Sequence, residues 1–325
     1  MQSIIKWGII GCGDVTEVKS GPAYQKESGF KLEAVMRRDY EKCKDYARRH
    51  GVPKAYANAE DLINDPEIQA VYIATPPDSH ATYALKVAEA GKICCIEKPL
   101  SPSYAECVKI FQAFQEKNIP LFVAYYRRSL PRFEKVKAWI DTNEIGAVRH
   151  INWHLSKPAS SVDLTKTYNW RTDDQIAYGG YFDDLASHGI DLFMYLLGDI
   201  KQASGIAVNQ QQLYSAKDAV TSCWLHETGV TGSGSWNFGA EKREDKVQIY
   251  GETGKISFSV FDESPVVLES NSQITSLDIP NPENIQLFHV QNMYRHLAGE
   301  QVHPSLGESA MKTSWVLDRI LGKLN

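Results

Sequence analysis

Basic charge is not in surplus in this chain: 35 lysines and arginines face 40 aspartates and glutamates, a formal net charge of −5 over 325 residues. A nucleic-acid footprint needs the opposite balance, so no nucleic-acid partner is expected. Any apolar run long enough to span a bilayer is missing, and so are internal repeats and low-complexity tracts. Met1 to Lys6 leads straight into a strand without a charged-then-apolar leader. The 6 cysteines show no C-x-x-C spacing. Reduced, buried thiols and a cytoplasmic location are therefore expected. His150 and His154 fall on one side of a strand but lack a third ligand at recognisable spacing, so no metal is expected. The chain is long enough for one large or two ordinary domains, and 43% hydrophobic with 23% charged residues is a globular composition.

What is present is organised around Ile93-Cys94-Cys95-Ile96-Glu97-Lys98-Pro99-Leu100. A short apolar run that ends on an acid, a lysine and a proline fits a parallel strand covered on both faces. Ligands of open α/β sheets bind outside the carboxyl ends of such strands, where Glu97 and Lys98 emerge. Pro99 restricts Lys98 to extended conformations and so aims it.

Upstream, Ile4 to Ile10 reads as a strand followed by Gly11-Cys12-Gly13-Asp14-Val15-Thr16, close to the dinucleotide fingerprint. Gly11 allows the tight turn and Gly13 lets the backbone approach a pyrophosphate. Thr16 replaces the third small residue and is expected to loosen the helix–strand packing. The next strand, Lys31 to Met36, ends in Arg37-Arg38, where an NAD site usually carries an acid. Two arginines suit a 2′-phosphate, so NADP is the expected cofactor, with NAD the alternative. A helix over 40–50 follows. The strand at 69–74 ends in Thr75-Pro76-Pro77-Asp78-Ser79-His80 and leads into a helix to Ala90, with His80 near its start. A helix over 104–117 and a strand over 121–124 complete an alternating pattern that argues for a doubly wound parallel sheet.

Tyr125 to Ser129 reads as a passage between domains, 131–141 as a helix and 148–156 as a strand. A helix over 180–197 places Asp184, His188 and Asp191 on one face, with Phe182, Ala186, Gly189 and Phe193 on another. From Ala203 onwards, strands over 204–214, 219–226, 230–238, 246–250 and 255–260 follow one another without helices, which favours antiparallel pairing. Helices over 286–299 and 305–324 close the chain.

These elements together resemble the Gfo/Idh/MocA family of NAD(P)-dependent oxidoreductases. The resemblance rests on Gly11-Cys12-Gly13, Thr75-Pro76-Pro77 with His80, Glu97-Lys98-Pro99, Trp170-Arg171 and Gly179 to His188, in the expected order along essentially the whole chain. Thr16 departs from the usual small residue, and Ser129 stands where an aromatic often follows the arginines. The implied fold is an N-terminal Rossmann domain with a doubly wound parallel sheet (1–123). An α+β domain with a large, mainly antiparallel open sheet follows (124–325), its C-terminal helix able to pack back on the first.

The resemblance implies an oxidoreductase with cofactor contacts at Gly11, Gly13, Asp14, Val15, Thr75, Pro76, His80, Glu97, Lys98, Trp170 and Arg171, joined by Arg37 and Arg38. It makes Lys98 the catalytic acid/base and the Lys98–Pro99 peptide cis, and puts Asp184 and His188 in the substrate pocket. Lys98 is a poor base at an unperturbed pKa of about 10.4, and burial beside a cationic nicotinamide is expected to lower it. Asp184 can orient the His188 imidazole as a relay. Tyr126, Arg127 and Tyr168, with Trp170 and Tyr178, suit a sugar, polyol or cyclic diol. A homodimer or homotetramer is implied through the open sheet. Two other outcomes known in the family stay open: a redox-cycled NAD-dependent glycosidase and a non-catalytic nucleotide-binding regulator.

Overall fold

Six short strands build the first sheet: β1 (Ile5–Ile10), β2 (Phe30–Met36), β3 (Lys54–Tyr56), β4 (Ala70–Ile73), β5 (Ile93–Ile96) and β6 (Leu121–Val123). All pair in parallel, in the order β3-β2-β1-β4-β5-β6. β4 is buried at every residue and β5 at all but its first, as expected of central strands covered on both faces. The order reverses between β1 and β4, so the loops after these two strands flank the switch point where such sheets take ligands. The computed structural model from which this description is drawn covers residues 4–324.

The connecting helices are α1 (Asp14–Val18), α2 (Gly21–Lys26), α3 (Tyr40–His50), α4 (Ala59–Asn64), α5 (His80–Glu89) and α6 (Tyr104–Gln115). Asp39 caps α3 by accepting from Lys42 N, and Gly51 ends it in the left-handed conformation at φ 65°. One face of the sheet packs Leu62, Ile63, Val87, Ile110 and Phe114 against Val71 and Ile73. The other gathers Trp7, Tyr24, Phe30 and Tyr72 with Val290 and Met293. The last two lie on the helix Leu287–Leu297, so this unit is not one continuous segment. It comprises the chain up to Ser129 together with Pro282–Met311, and the second unit comprises Leu130–Asn281 and the chain from Lys312.

The second unit contains α7 (Pro131–Asp141), β7 (Val148–Ser156), α8 (Ser161–Leu164), α9 (Tyr181–Leu197), β8 (Ile200–Val208), β9 (Ala219–His226) and β10 (Thr231–Asn237). It continues with β11 (Glu244–Gly251), β12 (Gly254–Phe258), β13 (Val266–Ser270) and β14 (Gln273–Leu277). The chain closes with α10 (Leu287–Leu297) and α11 (Gly307–Ile320). Eight strands form one sheet, β14-β13-β12-β11-β7-β10-β9-β8, antiparallel except for the β7–β10 pair. The fold is therefore the expected Rossmann unit followed by a large, mainly antiparallel sheet.

Two expectations need correction. The strand read over 204–214 is β8, which begins at Ile200 and stops at Val208. There Asn209 Nδ2 donates to the carbonyls of Tyr214 and Ala216 and folds the chain into a turn. The polar and apolar faces read on α9 are not divided between solvent and core, because every residue except Asp183, Leu185 and Tyr195 is buried. Trp153 of β7 meets Phe193 of α9 edge-on at 5.4 Å, fixing the helix against the sheet. Among the described residues no helix is long and apolar enough to cross a membrane.

Candidate active site

In the first unit the site starts at the loop after β1. Gly11 has φ 91°, and a Cβ there would stand 2.7 Å from Thr75 Cγ2 and 3.0 Å from the Ala74 carbonyl carbon. The fold itself requires this glycine. Gly13 is different: its φ is an ordinary −150°, and a Cβ would meet only Gly11 O, at 3.9 Å. Packing does not explain why Gly13 is bare, and the space over it leaves room for the approach of an anion.

Thr16 corrects an expectation. It is fully buried, its hydroxyl donates to Gly13 O at 2.8 Å and accepts from Gly13 N at 3.0 Å, and its carbonyl accepts from Tyr46 Oη at 2.9 Å. It ties the loop down rather than loosening it. Arg37 Nη1 donates to Cys12 O at 3.2 Å, while Arg38 is exposed. The nearby acid Asp39 is engaged with Lys42, accepting its backbone N–H at 3.2 Å and pairing with its ammonium at 3.2 Å.

At the end of β5, the buried Glu97 accepts from Tyr72 Oη at 2.5 Å, Gln286 Nε2 at 2.7 Å and the backbone N–H of Lys98 at 3.2 Å. An unpaired carboxylate here would be costly, so the donors fix its position. Burial first, then the charge of Glu97, pushes the Tyr72 phenol well above its ordinary range, so Tyr72 keeps its proton to donate. Lys98 follows, half-buried, and its peptide with Pro99 is cis. His80, expected among the cofactor contacts, is wholly buried: Nδ1 lies 3.1 Å from Pro99 O and Nε2 2.8 Å from Thr75 O. Its ring joins the loop after β4 to the loop after β5, and burial holds its pKa below the usual histidine value. Tyr126, Arg127 and Arg128 form a tight turn with both arginines buried, and Arg127 lies 4.9 Å from the Tyr126 ring.

In the second unit, Asp184 and His188 lie one turn apart on α9 and are both buried. Arg171 Nε donates to Asp184 Oδ2 at 2.6 Å, and its guanidinium lies 4.4 Å from the Trp170 ring. Trp170 and Arg171 sit in a short turn capped by Asn169, whose side chain accepts from Arg171 N. Asp191 accepts from Thr313 Oγ1 at 3.1 Å. Lys157, which the sequence did not single out, lies 3.7 Å from the Tyr181 ring, and burial lowers its pKa against the pull of Asp163 and Asp184. Tyr168 is exposed, and Tyr178 lies beneath the ammonium of Lys217 at 5.2 Å.

The chain matches the model of the oxidoreductase family with the NAD-binding Rossmann fold over residues 5–125, and the GFO/IDH/MocA C-terminal domain over residues 133–257. It is 39% identical to Oxidoreductase P35 of Formosa agariphila over 323 residues, 99% of this chain and all of that one. The chain belongs to the Gfo/Idh/MocA oxidoreductase family.

Levoglucosan dehydrogenase of Pseudarthrobacter phenanthrenivorans is 32% identical over 189 residues, 58% of this chain and 45% of that protein. Trans-1,2-dihydrobenzene-1,2-diol dehydrogenase of Bos taurus is 25% identical over 251 residues, 77% of this chain and 72% of that protein. Among solved structures, a levoglucosan dehydrogenase in complex with NADH and levoglucosan superposes with a TM-score of 0.86 at 22% identity, covering 97% of this chain and 95% of that one. This last likeness concerns the Gfo/Idh/MocA fold alone.

Within that family frame, the expected loop residues Gly11, Gly13, Thr75 and Arg37 gather at the ends of β1, β4 and β2. Asp14 and Pro76 are exposed beside them and Val15 is half-buried. Gln286, Tyr72 and Lys157 were not picked out from the sequence, where none of them has a local signal. A glycine loop with open space over Gly13, beside two arginines, fits a nicotinamide dinucleotide.

Proposed function

We propose that this chain is a dehydrogenase or reductase acting on a CH–OH or carbonyl group of a sugar, polyol or cyclic diol, using NADP(H) in preference to NAD(H). The observation that carries this reading is the three-donor clamp on Glu97, which fixes the backbone of Lys98 where β5 ends. The levoglucosan and dihydrobenzenediol dehydrogenases among its relatives support a hydroxylated ring as substrate.

The dinucleotide, held by Gly11, Gly13, Asp14, Val15, Thr75 and Pro76, supplies hydride transfer when bound. Arg37 and Arg38 recognise its 2′-phosphate, and Asp39, the acid that follows them, is engaged in capping α3. Lys98 accepts the hydroxyl proton during oxidation and returns it during reduction. His188 relays that proton, and Asp184, neutralised by Arg171, orients the imidazole. Tyr126, Arg127 and Tyr168 contact the substrate. The exposed outer face of the eight-stranded sheet, with Ile206 on β8, supports assembly into a homodimer or homotetramer. A cytoplasmic location fits the free cysteines.

The test is nicotinamide absorbance change across a panel of sugars, polyols and cyclic diols with NADP and NAD, beside Lys98→Met. Turnover that prefers NADP and disappears in Lys98→Met is expected. Turnover intact in that variant removes Lys98 from the chemistry, and equal loss of both cofactors in Arg37→Ala and Arg38→Ala removes the NADP preference.

A further inference from the structure

Lys157 stands just past the end of β7, where its N–H donates to Asn237 O at 3.0 Å. Its side chain is half-buried, with the ammonium 3.7 Å from the Tyr181 ring. Among the described residues this ammonium has no hydrogen-bond acceptor and no ion-pair partner. The aromatic contact offsets only part of what a charged group loses on leaving water. Burial accordingly lowers its pKa, against the pull of Asp163 and Asp184.

The carboxylates that act on Lys157 have other partners. Asp163 Oδ1 accepts from Tyr181 Oη at 2.7 Å, and Oδ2 accepts from Ser160 N at 2.8 Å and Ser160 Oγ at 2.7 Å. Asp184 Oδ2 accepts from Arg171 Nε at 2.6 Å. Arg243, a further cation acting on Lys157, is engaged with Asp262 Oδ1 at 2.7 and 3.1 Å.

Arg171 offers donors at its other end. Nε holds Asp184 and the guanidinium lies 4.4 Å from the Trp170 ring, while Nη1 and Nη2 have no acceptor among the described residues. The side chain is 36% exposed, so these donors are open to a ligand. Two terminal nitrogens side by side form the fork that takes a carboxylate. A single negative charge suits a site beside Asp163 and Asp184 better than the two of a phosphate.

α9 places both cations next to the acid and histidine. Tyr181, Asp184 and His188 follow one another at i, i+3 and i+7, on one face of the helix. Lys157 lies against the first of these and Arg171 against the second. The step between them rises about 4.5 Å along the helix, comparable to the width of one sugar ring. Asn169 ties the pair together, since Nδ2 donates to Tyr181 Oη at 3.1 Å and Oδ1 accepts from Arg171 N at 3.2 Å. Arg171 in turn acts on the Lys157 ammonium as a like charge, as two cations facing one space do.

We propose that Lys157 and the Nη1–Nη2 edge of Arg171 bind a carboxylate of the substrate, which makes that substrate a sugar acid whose reacting hydroxyl is handled at Asp184 and His188. This deepens the dehydrogenase reading and rests on it.

The test uses the full chain with cofactor and compares kcat/KM for hexuronates and for the matching neutral hexoses, in wild type, Lys157→Met and Lys157→Arg. The wild type should favour the acid by about tenfold or more, the scale of one charge-assisted hydrogen bond. Lys157→Met keeps an apolar stem on Tyr181 and removes the charge. It should raise KM for the acid and cut the acid-to-neutral ratio about tenfold, and Lys157→Arg should restore most of that ratio. A purely structural Lys157 would instead lower the unfolding midpoint of Lys157→Met and leave the ratio where it was. A wild-type ratio at or below one, or a ratio unmoved by Lys157→Met, overturns the carboxylate site while leaving the dehydrogenase reading in place. If no sugar is turned over, calorimetry with the hexuronates and hexoses separates the two failures. Tighter binding of the acids that weakens in Lys157→Met upholds the site and counts against the dehydrogenase, and absence of that binding overturns the site.

Discussion

Arg171 Nε donates to Asp184 Oδ2 at 2.6 Å, so the acid expected to orient His188 is itself held by an arginine expected to touch cofactor. The Asp184 side chain is 10% exposed and that of Arg171 36% exposed, which makes the acid the member that suffers from losing its partner. Arg171→Ala should lower kcat/KM about ten- to hundredfold while the nucleotide dissociation constant changes less than twofold. Steady-state kinetics beside nucleotide titration checks this. A parallel loss of nucleotide affinity would instead support the cofactor contact expected of Arg171.

The two glycines of the first loop should separate folding from binding. Gly11→Ala places a Cβ 2.7 Å from Thr75 Cγ2 at a φ of 91°, so it should cost about 1–3 kcal/mol of stability. Gly13→Ala places a Cβ in open space, so its unfolding midpoint should match the wild type. A nucleotide phosphate seated there would meet the methyl group, and affinity should fall tenfold or more. Denaturant unfolding and nucleotide fluorescence titration measure both effects. Unchanged affinity in Gly13→Ala would place the pyrophosphate elsewhere.

The parts legible in the sequence are those whose signal is local. β5 and its Glu97-Lys98-Pro99 end could be read because a short apolar run stops at one point, and α9 because Gly180 and Gly198 bracket it. Contacts that join distant residues left no such mark. Gln286 reaches Glu97 across 189 positions, from a segment that reads only as loop and helix. The Arg171–Asp184 pair bridges an irregular stretch to a helix, so neither periodicity nor spacing announces it. β3 has three half-buried residues, too few to show alternation, and the hairpin of β13 and β14 is nearly all exposed at its outer strand.

Gln286 is the sharpest of these omissions to test. Its Nε2 donates to Glu97, while its own Oε1 is buried without a partner among the described residues. Gln286→Leu therefore removes a donor from a buried carboxylate and little else, which should lower stability by about 1–3 kcal/mol. If the clamp positions Lys98, kcat should fall about tenfold as well. Single-turnover hydride transfer and chemical denaturation report the two effects separately. A stability loss with kcat unchanged would make the clamp purely structural.

Asp183, beside the candidate catalytic acid, sets a pH dependence whose sign can be worked out. Burial pushes its pKa up to about 6, with Asp318 and Asp184 adding to the rise and Lys323 and the Gly179 N–H opposing it. The folded state therefore binds this proton more tightly than the unfolded chain, whose carboxyl titrates near 3.8. The favourable contribution is fully present below about pH 4 and is lost as pH rises through 6. Above that, the ionised and partly desolvated carboxylate costs about 3 kcal/mol relative to the unfolded state. Asp183→Asn keeps an oxygen for Gly179 N–H and removes the charge. The variant should unfold at higher denaturant than wild type at pH 7–8, and the gap should close as pH falls to 4. A constant gap across that range would show that Asp183 is not the group being titrated.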